Sequence, residues 1–147
     1  VRIKLNAVAS VVKGKRVVLI DDSIVRGTTS GRIVKLLREA GATEVHMRVS
    51  APPFLNPCYY GTDIDSRDHL IACHHTVEEI SKIIGADSLG YLSVDNAKKL
   101  AVHTGGCNDC GYCTACFSGE YPTDVPTEMY KDKFDRKISE SKTETPK

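Results

Sequence analysis

The sequence predicts an α/β fold in which helices flank a parallel sheet, and three observations support this prediction. Short β-branched and aliphatic runs alternate with stretches of helical periodicity, two of those stretches end at a glycine, and the segments follow the order of a βαβ unit. The 147 residues, of which 41% are hydrophobic and 27% charged, are enough for one globular domain.

Strands are predicted at four places along the chain. Val17–Ile20 is a short aliphatic run, typical of a strand buried on both faces of a parallel sheet. Upstream of it, Val1–Val8 is also predicted as a strand, and because the chain opens on valine we expect it to begin within a longer protein. Apolar residues alternate in Glu44–Ser50, which predicts a third strand, and the fourth strand is predicted at Ser88–Leu92.

Three helices are predicted between and after these strands. The first covers Thr29–Ala40, where apolar residues recur at three- and four-residue spacing, and it ends at Gly41. Thr76 and Glu79 have the spacing of a capping box, so a second helix begins there and ends at the next glycine. The third is predicted from the capping residue Ser93 to Val102.

The chain is predicted to divide into three sections. Residues 1–103 form the sheet-and-helix domain, residues 104–122 form a cysteine-rich segment, and residues 123–147 form a disordered polar tail with few aliphatic side chains. A short helical turn is predicted within this tail at Met129–Phe134. The prolines of Ala51–Pro57 predict a loop that leaves the carboxyl edge of the sheet.

Composition argues against several classes of function. The formal net charge of +1 offers no electrostatic footprint for nucleic acid, and no apolar run approaches the roughly 18 residues of a membrane span. The P-loop and dinucleotide-binding motifs are missing, as is a secretory leader. We therefore expect a cytoplasmic protein that contacts neither nucleic acid nor membrane.

Two adjacent acids, Asp21 and Asp22, follow the first strand and precede a turn rich in hydroxyl groups. Ligands of open α/β sheets bind beyond the carboxyl ends of the strands, and the start of a helix favours anions. Acids at such a place also serve as helix caps, but four small or hydroxyl residues in a row exceed what capping needs. The candidate binding residues are Asp21, Asp22, Ser23, Arg26, Gly27, Thr28, Thr29 and Ser30.

Six cysteines form the second distinctive pattern, and four of them make a CxxCxxCxxC run that ends at Cys116. In a cytosolic protein such a run indicates a metal or iron–sulfur site rather than disulfides. The continuous spacing is closer to the bacterial ferredoxin pattern than to a zinc ribbon. Cys73, beside His74 and His75, fits packing better than metal binding.

Val17–Ser30 resembles the phosphoribosyl-pyrophosphate signature of the type I phosphoribosyltransferases. Taken with Pro57–Gly61, Ile84–Ser93 and Cys113–Pro122, it resembles the carboxyl-terminal part of the amidophosphoribosyltransferase family, and the match covers about Val1 to Pro122. The resemblance implies an incomplete type I phosphoribosyltransferase fold. It also implies that Asp21 and Asp22 approach the ribose hydroxyls and Mg²⁺, while the turn from Arg26 to Ser30 holds the 5′-phosphate.

In the iron–sulfur type of this family, the resemblance makes Cys58, Cys113 and Cys116 ligands of a [4Fe–4S] cluster. The fourth ligand of those enzymes lies further upstream and is absent from this chain. Cys107 and Cys110 have no assigned role: either Cys110 replaces the fourth ligand, or both are free or adventitiously metal-bound thiols.

The activity implied is transfer of glutamine-derived ammonia to phosphoribosyl pyrophosphate, giving 5-phosphoribosylamine in the first step of purine synthesis. The glutaminase domain and its nucleophile are missing, so no catalytic residue is assigned here and the chain alone is expected to be inactive. A homo-oligomer is expected for the complete enzyme. Two alternatives stay open: a module of this fold that senses phosphoribosyl compounds without turnover, and a small iron–sulfur electron carrier.

Overall fold

Three parallel strands form the sheet of the computed structural model, which describes residues 6–62, 64, 66–103 and 111–125. The strands are β1 (Arg16–Asp21), β2 (Glu44–Val49) and β3 (Ser88–Tyr91), in the spatial order β1-β2-β3. Each strand is parallel to its neighbour, with Val17 opposite Val45 and Met47 opposite Leu89. The predicted α/β class and parallel sheet are confirmed.

Six helices and one 3-10 turn accompany the sheet within the described residues. Only α2 and α5 reach ten residues, and several of the others are single turns. The helices are α1 (Ala9–Val12), α2 (Thr28–Glu39), α3 (Ile71–His74), α4 (Val77–Ile84), α5 (Val94–His103) and α6 (Ala115–Ser118), with the 3-10 turn at Arg67–His69.

Helices α2 and α4 contact each other and cover one face of the sheet. Between them and β2 lies the main core, to which β2 contributes side chains that are no more than 4% exposed. The central buried residues are Val34 of α2, Val45, Met47 and Val49 of β2, and Ile80 and Ile84 of α4. This packing fixes the position of β1, whose carboxyl end leads into α2.

The opposite face of β1 is exposed, which corrects the prediction that Val17–Ile20 is buried on both faces. Val18 is 63% and Ile20 is 74% exposed, whereas Val17 and Leu19 pack toward the main core. The physical reason is position: β1 is the edge strand of the described sheet, and α2 and α4 both lie on its other face. A strand's own residues do not reveal which neighbours cover it.

The predicted helix ends are confirmed closely. Helix α2 is followed by Gly41 at a φ of 96°. In the capping box, the Thr76 hydroxyl accepts the Glu79 N–H at 3.3 Å, and a Glu79 carboxylate oxygen accepts the Thr76 N–H at 2.8 Å. At the start of α5, the Asn96 N–H donates to the Ser93 hydroxyl at 3.2 Å, as the predicted cap requires.

The predicted strand over Val1–Val8 is wrong where the structure describes it. Residues 6–8 are irregular and α1 follows, because the amides of Val12 and Lys13 bond to carbonyls four residues back, at Val8 and Ala9. The remaining predicted residues, 1–5, lie outside the described part. So does the helical turn predicted at Met129–Phe134.

A second, smaller core lies under the loop that follows β2. Phe54, Ile64 and Leu70 are its buried residues, and the Phe54 and Phe117 rings approach to 4.9 Å between centroids. The prediction of an irregular segment over Ala51–Pro57 is confirmed. Within the described ranges, no helix is long and apolar enough to cross a membrane.

Candidate functional site

A cavity of about 490 Å³ opens at the carboxyl end of β1, and residues 21–30 line it. All eight predicted binding residues belong to this lining. Ile24 and Val25, which the sequence analysis did not single out, line it too. The site is therefore built from one uninterrupted segment that links β1 to α2.

The two carboxylates take part in a short chain of local hydrogen bonds. The Asp22 N–H donates to Oδ1 of Asp21 at 3.0 Å, and the Ser23 hydroxyl donates to Oδ1 of Asp22 at the same distance. Asp22 is exposed and Asp21 is half-buried. Both groups are thus oriented by their neighbours and remain open to a ligand in the cavity.

Contacts with three other parts of the fold hold the loop in place. Ile24 is 2% exposed and belongs to the main core. The Asp21 carbonyl accepts the N–H of Ser50 at 2.9 Å, and the Val25 carbonyl accepts the N–H of Ile71 at 2.9 Å. Ile24 and Val25, which lie between the two acids and Gly27, therefore anchor the loop. Two apolar residues within a polar turn are the feature of the sequence that could have indicated this role.

The start of α2 forms the other wall of the cavity. Gly27 is its N-cap with a φ of 76°, and among the described residues no side chain caps this end. The first turn, which begins at Thr28, carries no acidic residue. Its backbone N–H groups and the helix dipole favour an anion. Ser30 also borders the cavity, although it is only 3% exposed.

Arg26 brings a positive charge to the mouth of the cavity. Its Nη2 donates to Nδ1 of His69 at 3.4 Å, and His69 belongs to the 3-10 turn Arg67–His69. An arginine fork beside an open helix N-terminus suits a phosphate group. His69 is a neighbour that sequence reasoning missed, because 43 residues separate it from Arg26 and no local pattern links them.

Three of the four described cysteines lie together beneath the second core. Cys58, Cys73 and Cys116 pack against Phe54, Ile64 and Leu70, whereas Cys113 is exposed. All four are free thiols. Cys107 and Cys110 lie outside the described residues, as does the rest of 104–110, whereas residues 111–122 of the predicted segment 104–122 are described.

Electrostatics place Cys58, Cys113 and Cys116 in one neighbourhood. Burial raises the pKa of the Cys116 thiol, and the nearby charges of Cys58 and Cys113 raise it further. Burial also opposes ionisation of Cys58, but hydrogen bonds from residues 60–62 outweigh it and lower the pKa of that thiol. Within the part of the chain that the structure describes, no three metal-binding side chains are close enough to hold a single metal ion.

Curated relatives match most of this chain. It is 57% identical over 132 residues to the amidophosphoribosyltransferase of Bacillus subtilis, a match that covers 90% of this chain and 27% of the relative. It is 55% identical to the amidophosphoribosyltransferase of Archaeoglobus fulgidus, in a match that covers 87% of this chain and 28% of the relative. It is 54% identical to a chloroplastic amidophosphoribosyltransferase of Arabidopsis thaliana, in a match that covers 88% of this chain and 22% of the relative. The chain thus spans between a fifth and a third of these relatives' length. No family model matches it.

Solved structures agree with these relatives. A glutamine phosphoribosylpyrophosphate amidotransferase from B. subtilis, complexed with ADP and GMP, superposes with a TM-score of 0.74 at 54% identity, over 84% of this chain and 27% of that one. A structure described as the allosteric regulatory enzyme of purine biosynthesis gives 0.75 at 54% identity, over 84% and 26%. The parallel sheet with its helices is therefore part of a type I phosphoribosyltransferase fold, and the chain belongs to the amidophosphoribosyltransferase family.

Proposed function

We propose that this chain carries the phosphoribosyl-pyrophosphate-binding part of a glutamine-dependent amidophosphoribosyltransferase, corresponding to the carboxyl-terminal part of the enzyme. One observation carries the proposal. The cavity lined by residues 21–30 has two carboxylates on one side and an open helix N-terminus beside a guanidinium on the other. A ribose phosphate has hydroxyl groups that suit the carboxylates and a phosphate that suits the helix N-terminus and the guanidinium.

The carboxylates of Asp21 and Asp22 bind the ribose hydroxyl groups in this proposal. A hydrogen bond to a charged acceptor contributes about 1.5–3 kcal/mol, more than a neutral one. The 5′-phosphate takes the N–H groups of the first turn of α2, from Thr28 to Ser30, with Arg26 as its counter-ion. Gly27 leaves the backbone free to approach it.

The same two acids suit Mg²⁺, because hard carboxylate oxygens together with substrate phosphates are its preferred ligands. Magnesium, when bound, neutralises charge on the departing diphosphate. In the reaction, the nitrogen of ammonia forms a bond to the anomeric carbon while the bond from that carbon to the diphosphate oxygen breaks. Asp21 and Asp22 stabilise the positive charge that develops on the ribose, and neither acts as a base.

We expect Asp21→Asn combined with Asp22→Asn to abolish phosphoribosyl transfer in the protein at its full natural length. The substitution keeps the size of both side chains and removes both charges, so glutamine hydrolysis and folding should persist. Loss of phosphoribosyl pyrophosphate with ammonia as the nitrogen donor measures the transfer step directly.

Asp124→Asn provides the matched control, since Asp124 is exposed and lies outside the cavity. A transfer rate in the double variant equal to that of the parent would contradict the assignment. A parent protein that binds phosphoribosyl pyrophosphate without consuming it would instead favour the sensing module of the same fold.

We also propose that Cys58, Cys113 and Cys116 are ligands of a [4Fe–4S] cluster. Cysteine thiolates are the usual ligands of such a cluster, and these three residues would hold it through their sulfur atoms. The shared neighbourhood of the three thiols and the hydrogen bonds that favour the Cys58 thiolate fit such ligands.

The thiol assignment predicts that Cys58→Ser lowers the iron and acid-labile sulfide content of the purified protein, because serine is a poor ligand for the cluster. Cys73→Ser is the matched control: Cys73 packs against the same small core, but its Sγ donates to the Leu55 carbonyl at 3.2 Å. Equal losses from both variants would contradict the distinction between them.

The section boundaries at residues 103 and 122, the cytoplasmic location and the homo-oligomeric assembly remain proposals of the same kind. The family resemblance supports the assembly, and the composition of residues 123–147 supports a polar tail.

A further inference from the structure

Two distant segments of the chain are joined by one tyrosine hydroxyl. The Tyr121 O–H donates to the carbonyl of Pro57 at 2.7 Å, in a half-buried setting. Pro57 immediately precedes Cys58, and Tyr121 follows Cys116 by five residues. This bond therefore links the segment that carries one candidate cluster ligand to the segment that carries the other two.

Three tyrosine rings gather at this junction, and we refer to Tyr59, Tyr60 and Tyr121 as the tyrosine clamp. The Tyr121 ring meets Tyr59 edge to face at 5.2 Å between centroids and lies 6.4 Å from Tyr60. The hydroxyls of Tyr60 and Thr123 are 2.7 Å apart. The clamp thus holds both segments through rings as well as hydroxyl groups.

Main-chain bonds hold the same two segments at a second point. The N–H groups of Leu55 and Asn56 donate to the Cys116 carbonyl at 2.9 and 3.0 Å. The chain is therefore held on both sides of Cys58. The main-chain bonds of Leu55 and Asn56 and the Pro57 carbonyl hold the residues before it, and the ring of Tyr59 holds the residue after it. Fixing both segments sets the separation between Cys58 and Cys116.

We propose that Tyr121 is a positioning residue that holds Cys58 in register with Cys113 and Cys116. This inference rests on the proposed iron–sulfur site. A rigid set of ligands would keep a cluster bound, whereas a ligand segment free to move would release iron after oxidation.

Tyr121→Phe isolates the hydroxyl bond, because it keeps the ring and removes only the donor. The protein at its full natural length is loaded with iron and sulfide under anaerobic conditions and then exposed to air. The decay of the cluster's visible absorption is followed, together with the capture of released iron by a chelator. We expect similar initial loading and a loss about threefold to tenfold faster, which corresponds to one hydrogen bond.

Matched variants separate positioning from general damage. Tyr112→Phe makes the same chemical change at a ring that is 41% exposed and outside the clamp, so it should decay like the parent. Tyr121→Leu removes the ring as well and should decay fastest. Thr123→Val, at an exposed position, removes only the hydroxyl that contacts Tyr60, so the cluster should decay faster than in the parent but more slowly than in Tyr121→Phe. This result tests the clamp even if Tyr121→Phe folds poorly.

The paramagnetic resonance spectrum of the reduced cluster gives a readout that loss of fold stability alone does not alter. It should change in Tyr121→Phe and stay the same in Tyr112→Phe. Decay rates and spectra that match the parent in all clamp variants would overturn the inference while leaving the iron–sulfur assignment intact. A parent that takes up no iron and sulfide would overturn both.

Discussion

Gly27 illustrates how much a single residue contributes to the cavity lined by residues 21–30. Its φ of 76° starts α2 directly after the loop, and a Cβ placed there would lie 2.8 Å from Cδ1 of Ile71. Gly14 has a similar φ of 71°, but a Cβ there would meet nothing within 4 Å. The two glycines thus share a backbone requirement and differ in their surroundings.

Gly27→Ala should therefore destabilise the protein more than Gly14→Ala. At Gly14 only the left-handed conformation opposes alanine, at a cost of about 1–2 kcal/mol, whereas at Gly27 the contact with Ile71 adds to it. Urea unfolding of both variants measures the difference in the free energy of unfolding.

A double-mutant cycle with Ile71→Val tests the source of that difference, since valine lacks Cδ1. The two substitutions should be coupled, with Ile71→Val relieving part of the penalty at Gly27 and none at Gly14. Additive effects at both glycines would rule out the steric contribution.

At the scale of secondary-structure elements, Asp87 ties three of them together. Its Oδ2 accepts the Val45 N–H of β2 at 2.6 Å and pairs with Nη2 of Arg38 of α2 at 2.5 Å, just before β3 begins. Arg38 in turn donates to the carbonyl of Thr43 at 2.8 Å. One carboxylate thereby completes the connection between α2 and two strands.

This arrangement predicts a pH-dependent contribution to stability. The bond from the Val45 N–H, and then the charge of Arg38, keep the pKa of the Asp87 carboxyl below its ordinary value. A lowered folded-state pKa stabilises the protein above the unfolded-state value of about 3.9, and the effect is lost as the pH falls through the folded-state pKa.

Asp87→Asn should consequently lower the free energy of unfolding at neutral pH and change it little in strong acid, where the parent carboxyl is protonated in both states. Urea unfolding from neutral to acidic pH measures this convergence. The Asp124→Asn variant serves as reference, and a gap between Asp87→Asn and the parent that stays constant with pH would contradict the argument.

Local patterns in the sequence predicted the elements well. The capping box at Thr76, the glycine after α2 and the alternating residues of β2 all act through neighbours close in the chain, so short windows reveal them. The loop of Asp21 and Asp22 was found for the same reason, since the whole cavity lies in ten consecutive residues.

Contacts between distant segments could not be predicted in the same way. The exposure of Val18 depends on what covers β1, and the contact of Arg26 with His69 depends on the path of the loop after β2. The juxtaposition of Cys58 and Cys116 was available from the family resemblance alone, because nothing in their separation of 58 residues encodes it.

For the molecule as a whole, the contiguity of the cavity has a consequence for the order in which the two sites are completed. Residues 21–30 form one segment, but the carbonyls of Asp21 and Val25 are held by the N–H groups of Ser50 and Ile71, so these contacts form only after the chain has been synthesised past Ile71. The thiol site cannot assemble until the chain has been synthesised past Tyr121. A nascent chain would therefore complete the cavity lined by residues 21–30 before all the proposed cysteine ligands are available, so a cluster at the proposed site would be loaded onto a domain that is already largely folded.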